Sequence, residues 1–380
     1  MRGWQRFIVP MAAVLVMAAA VAWPGGAAAA AQVDGAWQQL GLKGYTYRLL
    51  TPPSGALFAM QTGGIFRSDD AGATWARVNV PPRGAPPNAG LVFALDPTNH
   101  TIMYANGAEG LYKSTNDAAS WTLILPTTDV LNHPIVSQAD PNVIYLVMHD
   151  KPIREVTRLR FMRSRDAGTT WELLEELAPA CMANTLFTQP HPLDGQRVMR
   201  QQTCNPGGSI NGALSESRDA GTTWTKLFER PGYRPMRVGG GEGVMPERFF
   251  LNLLQNNTGN NLLLRSDDDG QSWAETTQPW ASLVLPPETE RTAIGGFDTD
   301  PSLANRVYAG INVHRSNRTP GVPSFLFSRV MLSDDAGMSW ADTGFGGELV
   351  INDLKLGIDG QNLYASTVEG VWRLPLGAGH

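Results

Sequence analysis

Carboxylates come first, because a pair of them can break a glycosidic bond. Ordinary glycoside hydrolysis sets two carboxyl groups roughly 5–9 Å apart, one handing over a proton and the other acting as base or nucleophile. Glu242 is the leading candidate, inside the run Gly239-Gly240-Gly241-Glu242-Gly243, and Asp353 and Asp129 follow it. Their separation in space is not a property of sequence. Cations form the second set. Lys151, Arg154, Arg158, Arg234, Arg237, His314, Arg315 and Arg318 fall in stretches that read as long loops, at 149–158, 203–211, 229–244, 277–292 and 313–324. Guanidinium forks bind carboxylates in bidentate fashion, so these residues read as an anion site, against the plainer reading of solvated loop cations. Trp280, in one of the same loops, is an exposed aromatic that could stack on a sugar.

Other chemistries find little support. Two Cys and six His leave few soft ligands, so neither a metal site nor a cofactor is expected. No Walker loop, His-Glu-x-x-His helix or Gly-x-Ser-x-Gly elbow is present. The glycine run is not framed by a strand and a helix, which makes it a poor phosphate loop. A net charge of −5 gives no electrostatic case for nucleic acid. The 40 Gly and 27 Pro argue against a helical bundle.

The elements that must position these groups are announced by a repeat. Ser-x-Asp-x-Gly-x-Thr-Trp occurs at Ser68-Asp70-Gly72-Trp75, Ser164-Asp166-Gly168-Trp171 and Ser217-Asp219-Gly221-Trp224. Ser replaces Thr at Ser266-Asp268-Gly270-Trp273 and Ser333-Asp335-Gly337-Trp340. A degraded copy at Ser114–Trp121 has Asn116 and Ala118 in the Asp and Gly places. The Asp can accept backbone N–H groups across a turn, Gly supplies a positive φ, and the Trp opens the next strand and packs between sheets. These carboxylates therefore read as structural.

Two strands precede each copy, and Asp-Pro turns at Asp96, Asp140 and Asp300 precede those. The unit is four antiparallel strands, A to D, with the motif between C and D. That is a propeller blade. Leu363–Ser366 and Gly370–Leu374 repeat strands B and C once more without a motif, and Ala36–Leu40 matches the missing fourth strand. The expectation is an all-β, seven-bladed propeller whose first strand completes the last blade, with six blades as the rival count. The D–A and B–C loops would share one face and the motifs the other. Residues 1–31 read as a cleaved signal peptide, with a basic start, an apolar middle and an Ala-rich exit. Residues 32–380 form a single propeller domain on this reading, secreted or periplasmic, monomeric and without a membrane span. Cys181 would open strand A of blade 4 and Cys204 end strand B, with the hairpin turn near Pro192-Leu193. An oxidising compartment then favours one disulfide.

The repeated motif resembles the Asp-box (BNR) repeat family, over nearly all of residues 32–380. Three kinds of relative bear on function. Sialidases are six-bladed and use an arginine triad opened by a Phe/Tyr-Arg-Ile-Pro string. Here Tyr47-Arg48-Leu49-Leu50 lacks the Ile-Pro. Xyloglucanase-type hydrolases pair two seven-bladed rings, whereas one ring is encoded here. Exported propellers similar to photosystem II stability and assembly factors match best in length, blade count and leader. That resemblance implies a non-catalytic propeller that binds a protein or polymer through its loop face. The alternative is a glycoside hydrolase of sialidase-like type, acting on an anionic or polymeric glycan.

Overall fold

The structure is a computed structural model that describes residues 35–82, 91–150, 158–177, 187–204, 211–315 and 324–376. The expected signal peptide, Lys151, Arg154, Cys181 and Arg318 lie outside the described residues. Gln38–Lys43 (β1) opens the described chain. Blade 1 is Thr46–Leu50 (β2), Leu57–Gln61 (β3), Gly64–Ser68 (β4) and Ala76–Arg77 (β5). Blade 2 is Phe93–Leu95 (β6), Met103–Gly107 (β7), Gly110–Ser114 (β8) and Thr122–Pro126 (β9). In blade 3 the inner strand is split into Val130–Leu131 (β10) and Ile135–Val136 (β11), followed by Ile144–His149 (β12), Leu159–Ser164 (β13) and Glu172–Leu177 (β14). Blade 4 is Phe187–Pro190 (β15), Val198–Cys204 (β16), Asn211–Ser217 (β17) and Thr225–Pro231 (β18). Blade 5 is Tyr233–Gly240 (β19), Phe249–Gln255 (β20), Asn261–Ser266 (β21) and Ala274–Glu275 (β22). Blade 6 is Thr289–Thr299 (β23), Val307–Arg315 (β24), Phe325–Ser333 (β25) and Ala341–Asp342 (β26). Ile351–Leu356 (β27), Asn362–Thr367 (β28) and Gly370–Pro375 (β29) belong to blade 7.

Seven antiparallel sheets result, so the rival count of six is excluded. The seventh sheet runs β27-β28-β29-β1, with Gln39 opposite Trp372. The first strand thus completes the last blade, which closes the ring and removes its free edge.

The core lies in the seams between blades, and there are seven apolar clusters. Each seam takes one tryptophan from the outer part of a blade onto its predecessor. Trp75 joins Leu40, Leu42 and Tyr364, Trp171 joins Tyr104 and Leu111, and Trp273 joins Met199 and Leu214. Trp37 supplies the seventh, beside Tyr308 and Leu332. Most of the tryptophan excess is therefore inter-blade packing.

The repeated motif forms one turn in five places. At Asp70, Oδ1 accepts the Ser68 hydroxyl at 2.7 Å and the Thr74 N–H at 2.8 Å, and Oδ2 accepts the Thr74 hydroxyl at 2.6 Å. Ser68 Oγ accepts the Gly72 N–H at 2.8 Å, and Trp75 Nε1 donates to Gly72 O at 3.0 Å. Two consecutive left-handed residues close the turn, Ala71 (φ 54°) and Gly72 (φ 88°). These hydrogen bonds, first that of the Thr74 hydroxyl, hold Asp70 down to about 2. The degraded copy keeps the shape with substitute groups. Asn116 Nδ2 donates to Ser120 Oγ at 2.9 Å, and Ala118 adopts φ 64°. Trp121 Nε1 is buried there without a partner.

Two local expectations are corrected. The stretch 229–240 is not a loop: β18 and β19 run almost continuously through it, joined at Gly232, and only 241–244 lie outside a strand. Pro235 is tolerated because the ladder shifts register between Pro235 and Arg237. In blade 4 the hairpin centres on Asp194, since Pro190 pairs with Val198. Cys204 ends β16 and is disulfide-bonded, while its expected partner Cys181 lies outside the described residues.

Candidate functional site

Each inner strand begins at the D–A face and ends at the face that carries the turns of the repeated motif. The ends of the inner strands surround the ring axis there and enclose a cavity of about 400 Å³. Arg48 from β2, Asp298 from β23, Lys355 from β27 and Glu242 just after β19 all line it. Glu242 is therefore on the face opposite the arginine-bearing loops, and the expectation that it shares their face is corrected. The glycine run explains how it gets there. Gly243 has φ 68°, and a Cβ on it would sit 1.7 Å from Pro301 O. Val244 N–H donates to that same oxygen at 3.0 Å. Only glycine lets the chain press against the Asp300-Pro301 turn and hold Glu242 at the cavity wall.

Burial, and then the charge of Asp298, push the Glu242 carboxyl up to about 7, with Lys355 opposing. Asp298 is answered: Lys355 Nζ lies 3.1 Å from Oδ1, and Leu356 N–H donates to Oδ2 at 2.9 Å. A carboxylic acid that keeps its proton near neutrality thus faces the same cavity as an ion-paired carboxylate. One can donate a proton and the other can act as base or nucleophile.

Asp353 is engaged elsewhere. It is buried on β27, its Oδ1 meets Arg237 Nη1 at 2.7 Å, and its Oδ2 accepts the Leu49 N–H at 3.2 Å. Burial would raise its pKa, but Arg237 and then Lys355 outweigh that and hold it below the ordinary carboxylate range. Arg237 stacks over Phe297 at 5.3 Å. It lines a second cleft of about 290 Å³ on the other side of the ring, with Met236, Asn252 and Arg291. Asp129 lies between β9 and β10 and is ion-paired with Arg160. The three candidate carboxylates do not converge.

The cation set is likewise dispersed. Arg234 and Arg237 belong to the innermost strand of blade 5 and not to a loop. Arg158 is exposed, and its N–H donates to Asp150 Oδ1 at 3.0 Å. His314 and Arg315 end β24, and burial with Arg291 nearby lowers the His314 pKa to about 4. Trp280 is not an exposed platform. It is half-buried against the blade 5–6 core with Leu283 and Leu285. Asp298 and Lys355 were missed as site residues. The available signal was a charged residue at the end of an inner strand, one or two positions before an Asp-Pro turn or a Gly.

No family model matches the chain. A xyloglucanase from Paenibacillus sp. is 24% identical over 207 residues, covering 46% of this chain and 20% of that protein. The GH74 xyloglucanase from Xanthomonas campestris superposes with a TM-score of 0.64 at 18% identity, covering 89% of this chain and 53% of that one. A GH74 enzyme from Niastella koreensis gives 0.66 at 16% identity, with 90% and 54% covered. This chain spans a fifth of the curated relative and little more than half of either structure. At such identities the structures share the ring. These relatives overturn the expectation of a non-catalytic binding propeller, since they are named as glycoside hydrolases. The hydrolase alternative accords with them better.

Proposed function

We propose that this propeller is a glycoside hydrolase acting on a glycan polymer at the box-side end of its axis. The observation that carries the reading is Glu242, whose carboxyl is pushed up to about 7 in a cavity that Asp298 also lines. Glu242 is the proton donor to the leaving oxygen, and Asp298 is the second carboxylate, oriented by Lys355 and the Leu356 N–H. The relatives' xyloglucanase activity makes xyloglucan the first polymer to test. Reducing-end release is measured over xyloglucan, other β-glucans and uronate-bearing polymers. Turnover that falls at least 100-fold in both Glu242→Gln and Asp298→Asn supports the assignment. Turnover on no polymer, or unchanged turnover in either variant, refutes it.

Membership of the Asp-box repeat family is proposed on the five intact turns. The further likeness to photosystem II assembly-factor propellers rests only on length, blade count and leader. A cleaved leader over 1–31, a single domain over 32–380, a monomeric state and a secreted or periplasmic location complete the proposal. They are supported by the composition of the first thirty residues and by the closed ring.

A further inference from the structure

Four carboxylates, Glu242, Asp298, Asp300 and Asp359, and two cations, Lys355 and Arg48, line the axial cavity; Lys355 is ion-paired with Asp298, and Arg48 has no such partner among the described residues. Arg48 lies on β2, paired with Met60, and lines the cavity, where its guanidinium makes no hydrogen bond or ion pair with any described residue. Burial lowers its pKa, and Asp353 opposes that shift. Yet Asp353 is already taken, by Arg237 at 2.7 Å and by the N–H groups of Leu49 and Leu354. Asp353 is therefore committed to Arg237, and the Arg48 guanidinium beside it is left without a carboxylate in contact. Lys355 is not left so, because Asp298 holds it at 3.1 Å. His133, beside Arg48, is no counter-ion either. Burial and then Arg48 itself lower its pKa to about 4, so it is neutral.

A guanidinium has five N–H donors and keeps its charge in proteins. Half-buried donors with no acceptor are costly, and that cost falls when a ligand supplies the acceptor. The geometry a guanidinium answers best is the planar, two-oxygen face of a carboxylate. A sialidase-like arginine triad is not what forms here, since Arg237 is committed to Asp353 and Arg291 lies in the other cleft. A single unanswered fork remains, in a cavity whose size is that of a small-ligand site.

We propose that Arg48 binds the carboxylate of a uronic-acid residue at the inner end of the axial cavity, so that the glycan taken there is acidic. This inference rests on the reading of the cavity as a glycan site and names the class of glycan.

Binding is the test, because it does not need turnover. Titration calorimetry compares glucuronate- and galacturonate-bearing trisaccharides with their carboxyl-reduced counterparts, on the wild-type chain, Arg48→Gln and Glu242→Gln. At least one acidic trisaccharide is expected to bind ten-fold or more tightly than its reduced form. Arg48→Gln should lose that preference while leaving affinity for the reduced form within two-fold, and should melt no lower than wild type. Glu242→Gln should keep the preference. Equal affinity for both forms, no binding of any, or an undiminished preference in Arg48→Gln overturns the inference. Preference without hydrolysis of any polymer overturns the catalytic reading alone.

Discussion

Replacing Glu242 by Gln isolates the proton on which the catalytic reading depends. A carboxyl whose pKa is higher in the folded chain binds more protons folded than unfolded. Its contribution to stability is therefore present at low pH and is lost as pH rises from the unfolded value to the folded one. The window here runs from 4.5 to about 7. A shift of that size is worth about 3 kcal/mol for a fully shielded group. The cavity mouth admits water, which screens the charge, so about half of that is expected. For a ring of this length, that converts to about 2 °C in Tm. Thermal melts of the wild-type chain and Glu242→Gln, recorded at one scan rate from pH 4 to pH 8.5, measure it. Below pH 4.5 the two should melt within 0.5 °C of each other, to about that precision. Above pH 7.5 the variant should melt about 2 °C higher. A difference that does not change with pH, or a variant that melts lower above pH 7.5, would mean that Glu242 is solvated and ordinary. The proposed proton donor would then be lost.

Other consequences follow from the packing. Gly168→Ala puts a Cβ 2.6 Å from Ile124 Cδ1 at φ 90°, and should cost about 2–4 kcal/mol in chemical denaturation. Gly55→Ala, with φ 80° and nothing within 4 Å, should cost only the backbone part, about 1–2 kcal/mol. Asp353→Ala strands Arg237 and should cost about 3–5 kcal/mol, and adding Arg237→Met should recover part of it. Asp70 and Asp166 are each held down to about 2. Their contribution is present above the ordinary carboxylate value and fades as pH falls through 2, so the acid limb of unfolding should move to higher pH in an Asp166→Asn variant. A Cys181–Cys204 disulfide should appear as one linked peptide in a non-reducing digest, and Cys204→Ser should lose about 3 kcal/mol.

The ring was legible because its information is local. Each turn of the repeated motif is a hydrogen-bond circuit within eight residues, so its six copies and the matching Trp37 strand counted the blades. The site was not legible for the opposite reason. Glu242, Asp298, Lys355 and Arg48 come from four blades and meet only because inner strands point their ends at one axis. Asp300-Pro301 reads as a turn, and Asp298 two residues earlier carries no motif of its own. Arg234 and Arg237 were misplaced because Pro235 and the glycine run look like loop. On an inner strand with a register shift, both are compatible with pairing. Glu242 stands out in the sequence by its glycine neighbours, and these matter as space beside Pro301.

The joint between β1 and β29 has a consequence for the order in which the molecule is made. Gln39 finds Trp372, and Trp37 Nε1 donates to Thr343 at 3.1 Å, across 306 residues of sequence. On a ribosome adding about 5–20 residues each second, the first strand waits roughly 15–70 s for its neighbour to exist. Through that interval the growing chain is an arc with two raw seams, and blade 7 is represented by its outer strand β1 alone. Contacts of such long range form slowly. The appearance of β29 is therefore also the step that converts an adhesive arc into a ring.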